Sequence, residues 1–453
     1  MSETQELAVG RQANKEILKQ YQIYSDQRLQ LYVTKVGQRL AEKSHRDNLA
    51  YHFYIVDSMD INAFALPGGY IYITRGLLAY LNSEAQLAAV LAHEIGHVTA
   101  RHSVRQRTSL QATSLGIGIL SKLFPELSNT GFDQSANLLG TALLRGYGRE
   151  HELEADRLGA DYLARSGYDP QAMLEVIRIL KEQEIFDQNL ARLEKRQPRR
   201  YHGVFSTHPD NDTRLRKIIT HQLKKKPVSK AVFRDRFLDK IDGMIFGQTP
   251  SAGIIIGTTF YHRDLGFAIQ FPTGWNLSNQ PARLIATNQE SNWQIHLTEH
   301  TVFPRVTPNG LLLEHGFANL SAIEPIGTAG VTGVSGLTTI TTKEGPRIIH
   351  VSGIIFGQHG FVITGFARNA GLQAQFSETF KRIVTSFRSL SSTERSYASG
   401  QRIRVVNHKG SIPWAALASS SPLKVLPESH LKLLNGAATG ESASHTNRIK
   451  VIE

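Results

Sequence analysis

His93, Glu94 and His97, within the run HEIGH, have residue types and a spacing suited to metal chemistry. Four residues is close to one turn of an α-helix, so the two histidines project from one face and can share a single zinc ion. Glu94 lies one residue on from His93, about 100° round the helix axis. There its carboxylate reaches a water at the metal without displacing it, and a base beside an activated water is hydrolytic equipment. The chain contains no cysteine. Thiolate sites are therefore excluded, and any further ligand must be histidine or carboxylate.

Candidates for that ligand lie in Arg149 to Asp156, REHELEAD. A zinc held by two histidines commonly takes a carboxylate as third protein ligand and leaves a fourth position open. Glu152 and Asp156 are four apart and share a helical face, so one can ligate while the other hydrogen-bonds a ligand histidine. Glu150 and Glu154 are competing choices, and His151 is a weaker one. Farther on, His208 precedes Pro209 in FSTHP and is held at a turn. An imidazole opposite zinc can stabilise a tetrahedral oxyanion.

The elements that must carry these residues are legible in outline. Ser83 to His102 reads as a helix with an apolar stripe of Leu87, Val90, Leu91, Ile95 and Val98, opened by a Ser83/Gln86 pair resembling a capping box. Residues 5 to 45 have the pattern of two amphipathic scaffold helices, and Tyr51 to Val56 reads as a strand. Asn62 to Thr74 is a hairpin turning at Pro67-Gly68-Gly69. A strand at a sheet edge beside a zinc cleft can pair with an extended peptide; an ordinary core hairpin fits the pattern equally well. Arg105 to Leu144 reads as a helical insertion over the cleft.

At 453 residues, 41% apolar and 20% charged, the chain has room for about three globular domains. The net charge of +12 sits partly in short runs at 195–200 and 224–226. These read as solvated loops, because neither an aromatic-interleaved basic strand nor a recognition helix accompanies them, and no nucleic-acid partner is expected. The most apolar segment, 115–124, falls well short of the roughly twenty residues that span a bilayer, so no transmembrane segment is expected. The first residues, MSETQELAVGRQ, lack an apolar core, and a signal peptide is absent from this chain.

With these motifs in their order, NAFALPGGYIYITRGLL (62–78), HEIGH (93–97), ELEAD (152–156) and STHPDNDTR (206–214), the chain resembles the zinc metallopeptidases that include the CAAX prenyl proteases, the HtpX heat-shock proteases and the periplasmic BepA-like proteases. The resemblance covers roughly residues 3 to 250. It implies one zinc bound by His93, His97 and Glu152, with Glu94 as general base, Asp156 behind a ligand histidine, and His208 near the metal. It further implies that Arg214 supports the site and that Asn62 and Ala63 receive substrate backbone on an edge strand. Without the membrane spans of the prenyl-protease and HtpX branches, the chain fits the soluble BepA-like branch, a periplasmic or cell-envelope location in a bacterium, and polypeptide substrates. Residues 1–453 are then read as a mature form.

The expected fold class is α+β and multidomain. Residues 1–247 form a mainly helical, gluzincin-like peptidase domain with a small edge sheet. Residues 248–395 form an antiparallel β domain with a covering helix, loosely resembling PsbP. Residues 396–453 form a βααβ module resembling LysM. All candidate site residues precede Gly247, so a chain ending there is expected to keep the site. The function implied is endoproteolysis of misfolded or stalled envelope proteins in a covered, latent cleft. A chaperone-like scaffold binding envelope proteins or peptidoglycan through the C-terminal domains is the alternative.

Overall fold

The computed structural model describes residues 1–105, 147–194, 196–198, 231–280, 283–328, 330–342, 345–367, 370–410, 413–437 and 447–453. Two compact units emerge, one built from residues 1–247 together with 401–453 and the other from 248–400. The helical insertion expected over 105–144, the His208 turn and Arg214 lie outside the described residues, apart from Arg105.

In the first unit, α1 (Glu3–Gln20) opens with a capping box between Ser2 and Gln5, and α2 (Gln27–Ala41) is capped by Asp26, whose side chain accepts from the Arg28 and Leu29 N–H groups. The β-branched and aromatic run of β1 (His52–Val56) pairs in parallel with β3 (Tyr70–Thr74). Strand β2 (Ala63–Leu66) pairs antiparallel with β3. The order β1-β3-β2 leaves β2 at the edge, and the intervening turn uses Gly68 and Gly69 at φ of 77° and 90°. After α3 (Arg75–Tyr80) comes α4 (Glu84–Thr99), which carries HEIGH.

Helix α4 departs from the expected stripe, since every residue from Glu84 to Val98 is buried. It is the central helix of the unit, and helices buried all round need partners for their polar groups rather than a polar face. Glu84 has them. Its two oxygens accept from the Tyr32 and Tyr168 hydroxyls at 2.9 and 2.8 Å. The Ser83 side chain caps the Gln86 N–H, but the Gln86 side chain accepts from Asn82 N at 2.6 Å, so the reciprocal half of the expected box is shifted by one residue. Helices α5 (Arg149–Arg165), α6 (Ala172–Leu193) and α7 (Arg234–Ile241) follow, then the short β4 (Ile245–Phe246).

The second unit starts with β5 (Ile254–Ile256), β6 (Thr259–His262) and β7 (Phe267–Gln270), then β8 (Asn276–Gln280), β9 (Arg283–Asn288), β10 (Trp293–Thr301) and the helix α8 (Pro308–Glu314). Next come β11 (Ser321–Thr328), β12 (Val331–Thr342), β13 (Gly345–Phe356), β14 (His359–Ala367), α9 (Gln373–Thr385), β15 (Arg388–Ser389) and α10 (Ser392–Tyr397). A seven-stranded sheet runs β11-β12-β13-β14-β10-β9-β8, and a four-stranded one β15-β7-β6-β5. The expected covering helix is α9, which buries Phe376, Phe380 and Ile383.

The chain then returns to the first unit through β16 (Gln401–Asn407), α11 (Trp414–Ser420), α12 (Pro427–Leu434) and β17 (Arg448–Ile452). This is the strand-helix-helix-strand order expected for 396–453. Its packing differs from a free-standing third domain, because β16 pairs with β17 on one side and with β4 on the other. Ile403, Leu431, Leu433, Leu434 and Ile452 join the apolar core that surrounds α4. The fully buried Lys450 ammonium donates to the Ala79 and Leu81 carbonyls at 2.7 and 2.8 Å, tying β17 to the segment that leads into α4.

Candidate metal centre

Two helices build the site. At the crossing of α4 and α5, a Cβ on Gly96 would sit 2.8 Å from the Ala155 carbonyl oxygen, and one on Gly159 would sit 3.1 Å from the His93 nitrogen. At Gly96 only glycine permits that approach without moving backbone, and at Gly159 the fit is tight. The approach sets Glu152 and Asp156, one turn apart on α5, against His93 and His97, one turn apart on α4.

The side chains converge accordingly. Glu152 Oε2 lies 3.3 Å from His93 Nε2 and 3.8 Å from His97 Nε2, and the two ring nitrogens are 2.9 Å apart. His93 Nδ1 is 2.9 Å from Asp156 Oδ1. A carboxylate only accepts, so that nitrogen carries the proton and Nε2 presents its lone pair. Glu152 Oε2 is buried and has no hydrogen-bond partner. A buried carboxylate oxygen left without a donor, facing ring nitrogens, has the electron pairs of a ligand and lacks only a cation. Ligands about 2.0 to 2.1 Å from a tetrahedral zinc lie roughly 3.4 Å from one another, and the three observed separations bracket that value. The set fits one zinc ion, and among the described residues it is the one group of three such side chains close enough to share a metal.

Electrostatics follow the same design. Burial opposes charging of His93, but the hydrogen bond to Asp156 and the negative charges of Asp156 and Glu152 beside the ring outweigh burial and lift it to about 10. The carboxylates that raise its proton affinity raise its affinity for a dication in the same way. Burial pushes His97 well below the ordinary value, with the neighbouring imidazoles adding to the fall. Glu94 is 3% exposed, and burial, aided by Glu152 and opposed by His93, lifts its carboxyl to about 7. A carboxylate in that range accepts a proton more readily than a solvated one.

Of the competing carboxylates, Glu150 is exposed, and Glu154 turns away from the three ligands to pair with His102 and Arg105 at 3.2 and 2.7 Å. His151 stacks on His102, with ring centroids 4.4 Å apart. Asn62 stands just ahead of the edge strand β2, with its Oδ1 buried and unpartnered.

Sequence reasoning missed His102 and Tyr147. Tyr147 stacks on the His97 ring at 4.1 Å and places its hydroxyl 2.6 Å from Ser103 Oγ. His102 Nδ1 lies 2.8 Å from His97 Nδ1. Five residues along an uninterrupted helix would put His102 about 140° away from His97. The helix instead stops at Thr99, and Arg101 adopts φ of 56°, which turns the chain back. Such a conformation costs a non-glycine residue energy. The Arg101 guanidinium is held by Glu6 at 2.8 Å and by the Met1 carbonyl at 2.9 Å, and Glu6 is itself buried against Arg46. No helical periodicity signals this.

A central HExxH helix, crossed by a second helix that adds a glutamate, defines the class: this is the fold and site of a zinc metallopeptidase. Residues 27–221 match the model of Peptidase family M48. Relatives include the Beta-barrel assembly-enhancing protease of Yersinia pestis, 31% identical over 53% of this chain and 49% of the relative. The protein of the same name from Escherichia coli K12 is 30% identical over 52% and 47%. The Mitochondrial metalloendopeptidase OMA1 of Schizosaccharomyces pombe is 31% identical over 47% and 60%. The chain thus spans about half the length of the first two of these relatives. Among solved structures, the cyanobacterial PsbP of Synechocystis covers 30% of this chain and 95% of its own at 10% identity and a TM-score of 0.25. Among the described residues no helix is long and apolar enough to cross a membrane.

Proposed function

We propose that the protein is a zinc-dependent endopeptidase of the bacterial cell envelope that hydrolyses peptide bonds of misfolded or stalled envelope proteins. The observation that carries this reading is the buried, unpartnered Glu152 oxygen facing His93 and His97, with the carboxylate of Glu94 one residue from the first ligand. Zinc, when bound, supplies a Lewis acid that lowers the pKa of water and polarises a peptide carbonyl. His93, His97 and Glu152 hold the ion. Asp156 fixes the His93 ring by accepting from Nδ1. Glu94 takes the proton of the attacking water and returns it to the leaving amine. An extended substrate adds to the outer edge of β2 at Asn62 and Ala63, where the Asn62 oxygen accepts from a backbone N–H.

The envelope location and substrate class rest on the names of the relatives from Yersinia pestis and Escherichia coli. His208 belongs to this reading as a side chain beside the metal, holding the resting site latent, with Arg214 supporting it.

One experiment tests the set: cleavage of an unfolded protein beside a zinc determination. Glu94→Gln is expected to keep about one zinc per chain and lose cleavage, and chelation of the parent to abolish both. Full activity in Glu94→Gln would sink the mechanism. In the same assay His208→Ala raises turnover if the imidazole blocks the site, and a fall of roughly a hundredfold would make it an oxyanion donor instead.

A further inference from the structure

A relay of hydrogen bonds starting at Glu154 reaches the metal centre through His97, as Asp156 reaches it through His93. Glu154 Oε2 accepts from Arg105 Nη1 at 2.7 Å and lies 3.2 Å from His102 Nε2. An ionised carboxylate only accepts, so His102 Nε2 bears the proton. A ring with one proton on Nε2 has its lone pair on Nδ1. That atom lies 2.8 Å from His97 Nδ1, and the contact is a hydrogen bond only if His97 Nδ1 donates. His97 Nε2 is then deprotonated and faces Glu152 and His93.

We propose that His102 is a positioning residue of the metal centre: directed by Glu154, it fixes the tautomer and orientation of His97 so that its Nε2 stands ready for the metal. The role parallels that of Asp156 towards His93, with a neutral imidazole in place of a carboxylate. The two ligand histidines therefore receive unequal support: His93 is polarised by a full negative charge and His97 by a neutral acceptor. His102 is well placed for this, being fully buried, stacked on His151, and brought round by the left-handed turn at Arg101. Neither Glu154 nor His102 lies among the atoms that converge on the metal position.

The proposal deepens the metal-site reading and rests on it. If the parent protein bound no zinc, that reading would fail by itself; the relay is tested by differences between variants. The readout is zinc affinity by competition with a chromophoric chelator. Asparagine carries an oxygen the same number of bonds from Cα as histidine Nδ1, so His102→Asn keeps an acceptor in place, whereas His102→Leu removes it. The expected result is a 10- to 100-fold weaker zinc affinity for His102→Leu, the range typical of groups that orient metal ligands, and an affinity within about threefold of the parent for His102→Asn. A purely structural role would not separate the two in this way. A second readout is the long-range nitrogen–proton NMR spectrum of the metal-free protein. His97 is expected to be protonated on Nδ1 alone in the parent and to be a mixture of tautomers in His102→Leu.

Parental zinc affinity in His102→Leu, an Asn variant as weak as the Leu variant, or a His97 proton on Nε2 in the parent would each overturn the proposal. Should His102→Leu fail to fold, Glu154→Leu carries the test at a partly exposed position. Freed of its director, His102 is expected to lose some of its preferred tautomer and weaken zinc two- to tenfold. Unchanged affinity there would overturn the relay.

Discussion

Gly96→Ala puts the crossing of α4 and α5 under direct test. Alanine gains helix propensity over glycine, up to about 1 kcal/mol in a helix interior. Against that, its Cβ would stand 2.8 Å from the Ala155 carbonyl oxygen and 3.0 Å from its Cα. Ordinary non-bonded separations are roughly 3.5 Å or more, so α5 must retreat by over half an ångström. The obstacle is backbone and cannot swing aside as a side chain would. Overpacking of this kind costs about 1 to 3 kcal/mol, more than the propensity gain. The functional effect is larger, since α5 carries both Glu152 and Asp156 and metal–ligand distances tolerate only about 0.2 Å of error. Zinc affinity, by chelator competition, is expected to fall 10- to 100-fold, with a lowered melting temperature for the metal-free protein. Gly159→Ala is the graded control. Its Cβ would lie 3.1 Å from the His93 nitrogen, a gap closed by a few tenths of an ångström, and a smaller loss is expected. A Gly96→Ala protein with parental zinc affinity and a higher melting temperature would refute the reasoning, because propensity would then outweigh contact at the crossing.

Two further predictions follow from the same structure. A chain ending at Gly247 loses Ile403, Leu431, Leu433, Leu434 and Ile452 from the core around α4, and at about 1.5 to 3 kcal/mol each that exceeds or equals the net stability of a domain, so it should neither fold nor hold zinc. Joining Gly247 to Gln401 by a short glycine-serine linker should preserve both, because Phe246 and Gln401 are already partners across β4 and β16; circular dichroism and zinc content decide, and a folded, zinc-loaded 1–247 chain would overturn the assignment. In the second unit, burial holds the His350 imidazole down at about 4. An unfolded histidine takes its proton near 6.5, so the unfolded state binds more protons between those values and stability falls by up to about 3 kcal/mol as pH drops from 6.5 to 4. His350→Gln should remove that share of the slope, read as the difference between parent and variant in denaturation followed by tryptophan fluorescence; identical slopes would refute it.

Much of the site was written in local spacing. His93 and His97, and likewise Glu152 and Asp156, are one turn apart, so helix geometry alone puts each pair on one face, and the chemistry of the residues allowed only histidine and carboxylate as ligands. The hairpin at Pro67-Gly68-Gly69 and the apolar face of α9 were legible for the same reason, since periods of two and of three to four residues are visible in the chain itself. Strands β8 and β11 were not: Asn276–Gln280 is polar, and Ser321–Thr328 contains Pro325, so pairing with neighbours decides their conformation.

Tertiary structure alone decided what depends on two distant segments meeting. The apolar pattern of α4 implied one packed side, but the helix is enclosed on all sides because elements from both ends of the chain close over it. Glu152 and Glu154 were separable in sequence only by their distance from Asp156. The close crossing at Gly96 and Gly159 is what turns the first to the metal and leaves the second to His102. The sequence also placed residues 401–453 beyond an intervening domain, whereas β16 completes a sheet begun at β4 and Lys450 fastens β17 beside the start of the metal helix. The physical reason is common to all three cases. A helix or strand fixes which of its own residues share a face, but what lies opposite that face is set by packing, and packing brings together residues that no local period connects.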